Sequence, residues 1–198
     1  MQSLLLINSL VDFLHLEVLE LSFNRLTGTI STEIAKLNKL TELWVQSNTL
    51  SGNIPSELGE LLNLEFLYLQ GSKLSGPIPT EFGRLPNVEH LFLDNNQLNG
   101  SIPSELTKSK TLAQLSLGNC SFTGSIPRNI VEMTNLTHFW AQFNMLTGSI
   151  PANVAEMEKL YRFVLYGNRF TGNFTCPHFI YDCQISCNST TDDACRLL

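Results

Sequence analysis

The sequence predicts an α/β solenoid, a right-handed superhelix of stacked coils with parallel strands on its concave side and short 3-10 or helical segments on its convex side. Three observations predict it. Steps of 24 residues from Asn96 land on Asn24, Asn48, Ser72, Cys120, Asn144 and Asn168. Four residues after each anchor stands a glycine: Gly28, Gly52, Gly76, Gly100, Gly124, Gly148 and Gly172. Two residues further on comes Ile30, Ile54, Ile78, Ile102, Ile126 or Ile150, with Phe174 in the last copy, and then proline at Pro55, Pro79, Pro103, Pro127 and Pro151. A unit this small cannot bury its apolar face alone, so a fixed period means copies stacked around one shared core. The 198 residues read as one solenoid, a half repeat plus seven 24-residue repeats over 1–175, closed by a Cys-rich cap over 176–198.

The elements follow in order. Leu6, Leu10 and Phe13 fall on the places of Ile30, Ile34 and Leu37, so residues 4–13 read as the second half of an earlier repeat. They make a poor signal peptide, because Met1-Gln2-Ser3 carries no positive charge and Asn8, Ser9 and Asp12 interrupt the apolar run. Leu4, Leu5, Leu6 and Ile7 would face solvent, which leads to the expectation that the natural protein continues further or that this chain is a fragment. In each repeat the segment L-x-x-L-x-L-x-x-N predicts a short strand with leucines alternating inward, as at Leu91 and Leu93. The anchor side chain turns in, where asparagine bonds backbone groups of the turns, and Ser72 and Cys120 do part of that work. Glycine permits the turn that follows, and Ile-Pro leads into a short helix. At Thr32-Glu33, Ser56-Glu57, Thr80-Glu81 and Ser104-Glu105 the hydroxyl residue is expected to cap that helix, with the glutamate at its positive end rather than in a cation site. After Phe174 the repeat stops, and Phe179, Ile180 and Tyr181 are expected to cover the last coil. Four cysteines there, Cys176, Cys183, Cys187 and Cys195, suggest two disulfides and an oxidising compartment, since their spacing lacks the paired knuckles of a structural zinc site. Cys120, alone at an anchor, reads as a buried thiol.

The unit LNKLTELWVQSNTLSGNIP resembles the plant-type leucine-rich repeats of receptor-like kinases, receptor-like proteins and polygalacturonase-inhibiting proteins, over residues 4–175. The Cys-rich ending and the aromatic strands resemble the sets of such proteins in diatoms and other stramenopile algae. The resemblance implies an extracellular recognition module of a receptor-like or secreted protein, with a co-receptor among its partners. The chain departs from that family in lacking the paired-cysteine N-terminal cap, a transmembrane helix and a kinase domain, so receptor signalling by this chain alone is not implied.

Composition excludes several other classes. A net charge of −6 with twelve scattered Lys and Arg argues against nucleic acid or an anionic membrane surface. No apolar run reaches the ~18 residues that a membrane-spanning helix needs. No cofactor, metal site or enzymatic activity is expected. No nucleophile elbow or phosphate loop is present, and His90 and His138 would stand two strands, ~9.6 Å, apart. N-x-S/T sequons at Asn99, Asn119, Asn135, Asn173 and Asn188 are candidate glycosylation sites.

Strands ~4.8 Å apart turn each repeat position into a column on the concave face. Four residues before the anchors stand Glu20, Trp44, Tyr68, Phe92, Ser116, Trp140 and Val164, whose aromatic members are expected to be exposed. The flanking columns supply Gln46, Gln70 and Asp94 on one side and Phe66 and His90 on the other. Rings beside amides and carboxylates suit a protein, peptide or glycan ligand, while the same rings packing on one another would serve strand stability alone. The competing reading is a structural or adhesive protein of a cell wall or extracellular matrix, and the threonines are too irregular for an ice-binding array.

Overall fold

The computed structural model describes residues 13–185. Most of the leading half repeat, Cys187, Asn188 and Cys195 lie outside them. Each coil contributes a three-residue strand: Val18–Glu20, Glu42–Trp44, Phe66–Tyr68, His90–Phe92, Gln114–Ser116, His138–Trp140 and Arg162–Val164. With Asp182–Gln184 they form an eight-stranded parallel sheet in chain order. Equivalent residues pair across it, Leu43 with Leu67 and Leu67 with Leu91. That register makes columns of the repeat positions. The strands are short because the inward leucines alternate only from Leu91 to Leu93 before the buried anchor turns the chain.

Across the coil run five-residue 3-10 helices, Thr32–Lys36, Ser56–Glu60, Thr80–Arg84, Ser104–Lys108, Arg128–Glu132 and Ala152–Glu156. Their capping departs from the sequence expectation. Pro55, Pro79, Pro103, Pro127 and Pro151 occupy the cap position, with no side-chain bond to the helix start. Proline's fixed φ presets the chain for the helix, so no hydroxyl cap is required. Ser56, Thr80 and Ser104 meet the carboxylates of their neighbours Glu57, Glu81 and Glu105 at 3.3–3.4 Å. In the first coil Ser31 stands where the others have proline, and its Oγ accepts from the Glu33 N–H at 3.3 Å.

A second sheet was not anticipated from the sequence. Thr27–Gly28, Thr49–Asn53, Lys73–Gly76, Gln97–Ser101 and Ser121–Thr123 pair in parallel, and Thr147–Gly148 pairs with Arg169–Phe170. Here the register slips, Ser51 facing Lys73 and Ser75 facing Gln97. The anchor-plus-four glycines lie in these turns with φ between 75 and 89°, a backbone region that an L side chain resists. Between the sheets and the helices one continuous apolar cluster runs from Ile30 to Ile180, and Ile34, Leu58, Phe82, Leu106, Ile130 and Val154 form one of its columns.

The anchors build a ladder, though not at all seven positions. Asn96 Nδ2 donates to the carbonyls of Leu69, Leu93 and Asp94, and its Oδ1 accepts from the Leu74 N–H. Asn48, Asn144 and Asn168 repeat this, each reaching back into the preceding coil. Asn24, exposed and in the first described strand's coil, bonds the carbonyls of Leu21 and Ser22 in its own turn and no other group among the described residues. Cys120 Sγ reaches the Leu93 carbonyl at 3.7 Å and meets the backbone of Asn96 and Leu98, a weaker set of bonds than the amide makes. Ser72 Oγ is buried with no partner, because its side chain is too short to span to the next coil. Ser72→Asn should therefore fill this gap in the ladder and stabilise the chain by roughly 1 kcal/mol, read as a rise in the urea midpoint with unchanged slope.

At the C-terminal end Cys176 and Cys183 are bonded, one of the two disulfides the sequence suggests. The chain shortens there to a 20-residue step, Arg162 pairing with Asp182. Ile180 is buried against the last coil, and Phe174 and Phe179 pack on the same core. Tyr181 does not join them. It is 75% exposed and stacks on Tyr161 at 5.0 Å, because the strand that follows turns its side chain to the outer face.

Candidate ligand-binding face

The eight-stranded sheet brings the aromatic column together. Trp44 and Tyr68 meet edge to face at 4.9 Å, Tyr68 and Phe92 do so at 4.9 Å, and Phe92 reaches Trp140 at 5.9 Å. Phe92 and Trp140 belong to coils that are not neighbours. They close over Ser116 between them, which is buried as a result. The rings were expected to be exposed, but all four are half-buried, since at one-strand spacing each ring covers its neighbour's edge. Phe66 lies 5.0 Å from His90, and His138 lies 5.0 Å from Trp140 and 5.7 Å from Tyr161. Ring contacts thus run without a break from Trp44 to Tyr181.

The histidines are held by hydroxyls rather than by a catalytic partner. His90 Nδ1 lies 2.7 Å from the Tyr68 hydroxyl, and His138 Nδ1 lies 2.8 Å from Thr137 Oγ1. Burial lowers the pKa of both, and burial with the nearby Glu42 carboxylate raises that of Tyr68. The Cys120 thiol is pushed up to about 11 by its burial, so it stays protonated at neutral pH. Among the described residues no three His, Cys, Asp or Glu side chains gather in a way that could hold a metal. None of the described helices is long and apolar enough to cross a membrane.

The flanking amides differ from expectation. Gln46 is 8% exposed, squeezed between adjacent coils, and its Oε1 has no partner. The same holds for the Oε1 atoms of Gln70 and Gln142 and for the Trp44 indole N–H. Asp94 is half-buried and accepts from the Asn95 amide. The described sequon residues Asn99, Asn119, Asn135 and Asn173 are all exposed, though Asn119 donates to Asn95 Oδ1 and Asn135 to the Lys110 carbonyl. Asn135 thereby belongs to a second ladder missed in the sequence, with Asn63 donating to Asn38 O and Asn87 to Leu62 O at the turns that lead into the concave strands.

Sequence reasoning also missed Phe143. It is 51% exposed in a left-handed conformation, φ 54°, where other coils carry Ser47, Gly71, Asn95 and Asn119, and its ring meets Tyr166 at 4.9 Å. The absent Cβ of Gly167 makes room, since one there would lie 2.6 Å from the Phe143 ring. A bulky residue in that conformation is a local strain worth noting. The signal was an aromatic, shared with Phe23 of the first coil (φ 53°, 78% exposed), at a position that holds glycine, serine or asparagine in the other coils.

The family profile described as Leucine Rich Repeat matches residues 15–37, 39–61, 63–85, 87–109 and 111–133, more than half of the chain. The chain belongs to the leucine-rich repeat family. Its leucine-rich repeats are of the plant type, in keeping with the solved structures it resembles. One is the plant peptide hormone receptor RGFR1 in complex with RGF2, at 34% identity and TM-score 0.80, covering 86% of this chain and 28% of that one. Another is the Arabidopsis receptor kinase HAESA in complex with the peptide hormone IDA and the co-receptor SERK1, at 39% identity and TM-score 0.79, covering 87% of this chain and 29% of that one. A plant ice-binding protein shares the fold at 23% identity and TM-score 0.59, covering 89% of this chain and 74% of that one. This leucine-rich repeat chain spans less than a third of the length of the two receptors. No curated protein matches it.

Proposed function

We propose that this leucine-rich repeat chain is a non-catalytic extracellular recognition module that binds a protein, peptide or glycan on its concave face, as part of a receptor-like or secreted protein working with a co-receptor. The observation that carries this reading is the unbroken run of ring contacts Trp44, Tyr68, Phe92 and Trp140 on a sheet where each of these residues stays half-exposed. Phe66, His90, Gln46, Gln70 and Asp94 border it. The receptors it resembles carry peptide hormones in their complexes. The Cys176–Cys183 bond suits an oxidising extracellular or cell-surface setting, in which Asn99 and Asn173 would accept glycans.

A structural or adhesive role is the competing reading, and the likeness to an ice-binding protein is one of fold alone. The hydroxyls of Thr49, Thr123 and Thr147 donate to carbonyls of the preceding coil, Leu26, Gly100 and Gly124, which leaves them poorly placed to order water or to adhere. A glycan and peptide array probed with the oxidised chain decides between the two. The native chain is expected to bind one discrete ligand class, and Trp44→Ala/Tyr68→Ala to lose it at least tenfold, about 1.4 kcal/mol, which two hot-spot aromatics readily supply. Equal binding by both proteins, or by neither, would mean that the rings serve packing, and the adhesive reading would replace this one.

A further inference from the structure

We propose that the ligand of the concave face is an extended cationic peptide, bearing arginine or lysine, seated on its N-terminal half; this rests on the recognition reading above. The charges of the chain are segregated. Across the concave segments 17–24, 41–48, 65–72, 89–96, 113–120 and 137–144 the sequence places Glu17, Glu20, Glu42, Glu65, Glu89 and Asp94, and not one lysine or arginine. All of these acids stand in the first four coils. The basic residues are distributed over the other surfaces, and Arg162 at the far end of the sheet lies 3.7 Å from Asp182.

Position on the sheet interleaves the acids with the rings. Glu20 pairs in register with Trp44, and Glu42 with Phe66, while Glu42 and Trp44 share one face of one strand. Glu65 and Glu89 stand at the starts of the next two strands. Among the described residues none of Glu17, Glu20, Glu42, Glu65 and Glu89 makes an ion pair. Like charges held one or two strand spacings apart repel, and a bound cation relieves that. The rings act in the same direction, since the face of Trp, Tyr or Phe attracts an ammonium or guanidinium.

A second and independent observation concerns hydrogen bonding. Gln46, nine-tenths buried beside Trp44, has an Oε1 without a donor, and so has Gln70 in the next coil. Both oxygens are covered, so a ligand meets them only when the amide swings outward, and a guanidinium, an ammonium or a peptide backbone then supplies the N–H each lacks. A neutral glycan could donate hydroxyls to these carboxylates but would leave their charge uncompensated, and an acidic glycan or peptide would be repelled by them. Extended peptide geometry fits because a strand-like segment, rising ~3.3 Å per residue, advances about three residues for every two coils ~4.8 Å apart, so its side chains meet one column after another.

The test pans the full oxidised chain against a random twelve-residue peptide library at low salt, with Glu20→Gln/Glu42→Gln and Trp44→Ala/Tyr68→Ala in parallel. Recovered peptides are expected to hold roughly twice the arginine and lysine of the unselected library and to bind roughly five- to tenfold more weakly to the glutamine variant and at raised salt. The two tryptophans are Trp44 and Trp140. In Trp140→Phe the remaining indole reports directly on the acidic half, and a recovered peptide should shift its emission saturably. Peptides without basic enrichment, equal affinity for the glutamine variant, or an array hit on a glycan would overturn the cationic assignment and leave the concave face as a recognition surface. Peptides recovered no better by the native chain than by Trp44→Ala/Tyr68→Ala would overturn both.

Discussion

Asn96→Ala is expected to destabilise the chain by about 4 kcal/mol, because one side chain satisfies four backbone groups and each group left unpaired in the core costs about 1–3 kcal/mol, part of which relaxation recovers. The amide holds the carbonyls of Leu69, Leu93 and Asp94 and the N–H of Leu74, and so ties two coils together at the point where the concave strand turns away. Urea unfolding followed by far-ultraviolet circular dichroism measures the loss. Asn24→Ala is the internal comparison. Asn24 is exposed and, among the described residues, bonds only its own turn, so its replacement should stay within about 0.5 kcal/mol. If the two variants unfold alike, the anchors act through local turn geometry and not as a ladder between coils.

Gly83→Ala should cost about 3 kcal/mol, for a steric reason. A Cβ at Gly83 would stand 2.4 Å from the Glu105 carbonyl oxygen and 2.7 Å from the Glu105 Cβ, so the 3-10 helices of neighbouring coils would have to part. Gly59 sits in the same way over Glu81, with a would-be contact of 2.6 Å. The position does not demand glycine in every coil, since Thr107 occupies it and is buried. A lowered urea midpoint in Gly83→Ala, alongside a change near 1 kcal/mol in the reverse substitution Ala155→Gly, would show that the clash and not helix propensity decides. A neutral Gly83→Ala would mean that the spacing of the coils adjusts freely.

These two glycines illustrate where the sequence ran out. The anchor-plus-four glycines were legible because they recur without exception and their role, a left-handed φ, is local. Glycine recurs only twice at this position, Gly59 and Gly83, and what it accommodates is a backbone 22 residues away, Glu81 for Gly59 and Glu105 for Gly83. The second sheet escaped for a related reason. Its register is offset from the 24-residue period, Ser51 opposite Lys73, so stepping by the period does not bring its partners together.

The candidate site was half legible. Period and alternation put Trp44, Tyr68, Phe92 and Trp140 in one column on one face, as the structure has them. Pattern could not say that the rings would half-bury one another, that Phe92 and Trp140 would meet across Ser116, or that Gln46 would sink between coils. Those outcomes depend on side-chain volumes competing for a fixed strand spacing, which is a property of the assembled sheet.

By itself, then, the sequence determined the solenoid, its period, its inward leucines, its asparagine anchors and the column in which the aromatics stand, because each of these follows from a repeat that local geometry translates directly. Only the tertiary structure decided which anchors bond and which, like Ser72, do not, where proline replaces a hydroxyl cap, and how far each ring, amide and carboxylate remains open to a ligand. Each of those depends on contacts between residues of neighbouring coils, and a contact exists only once the coils have stacked.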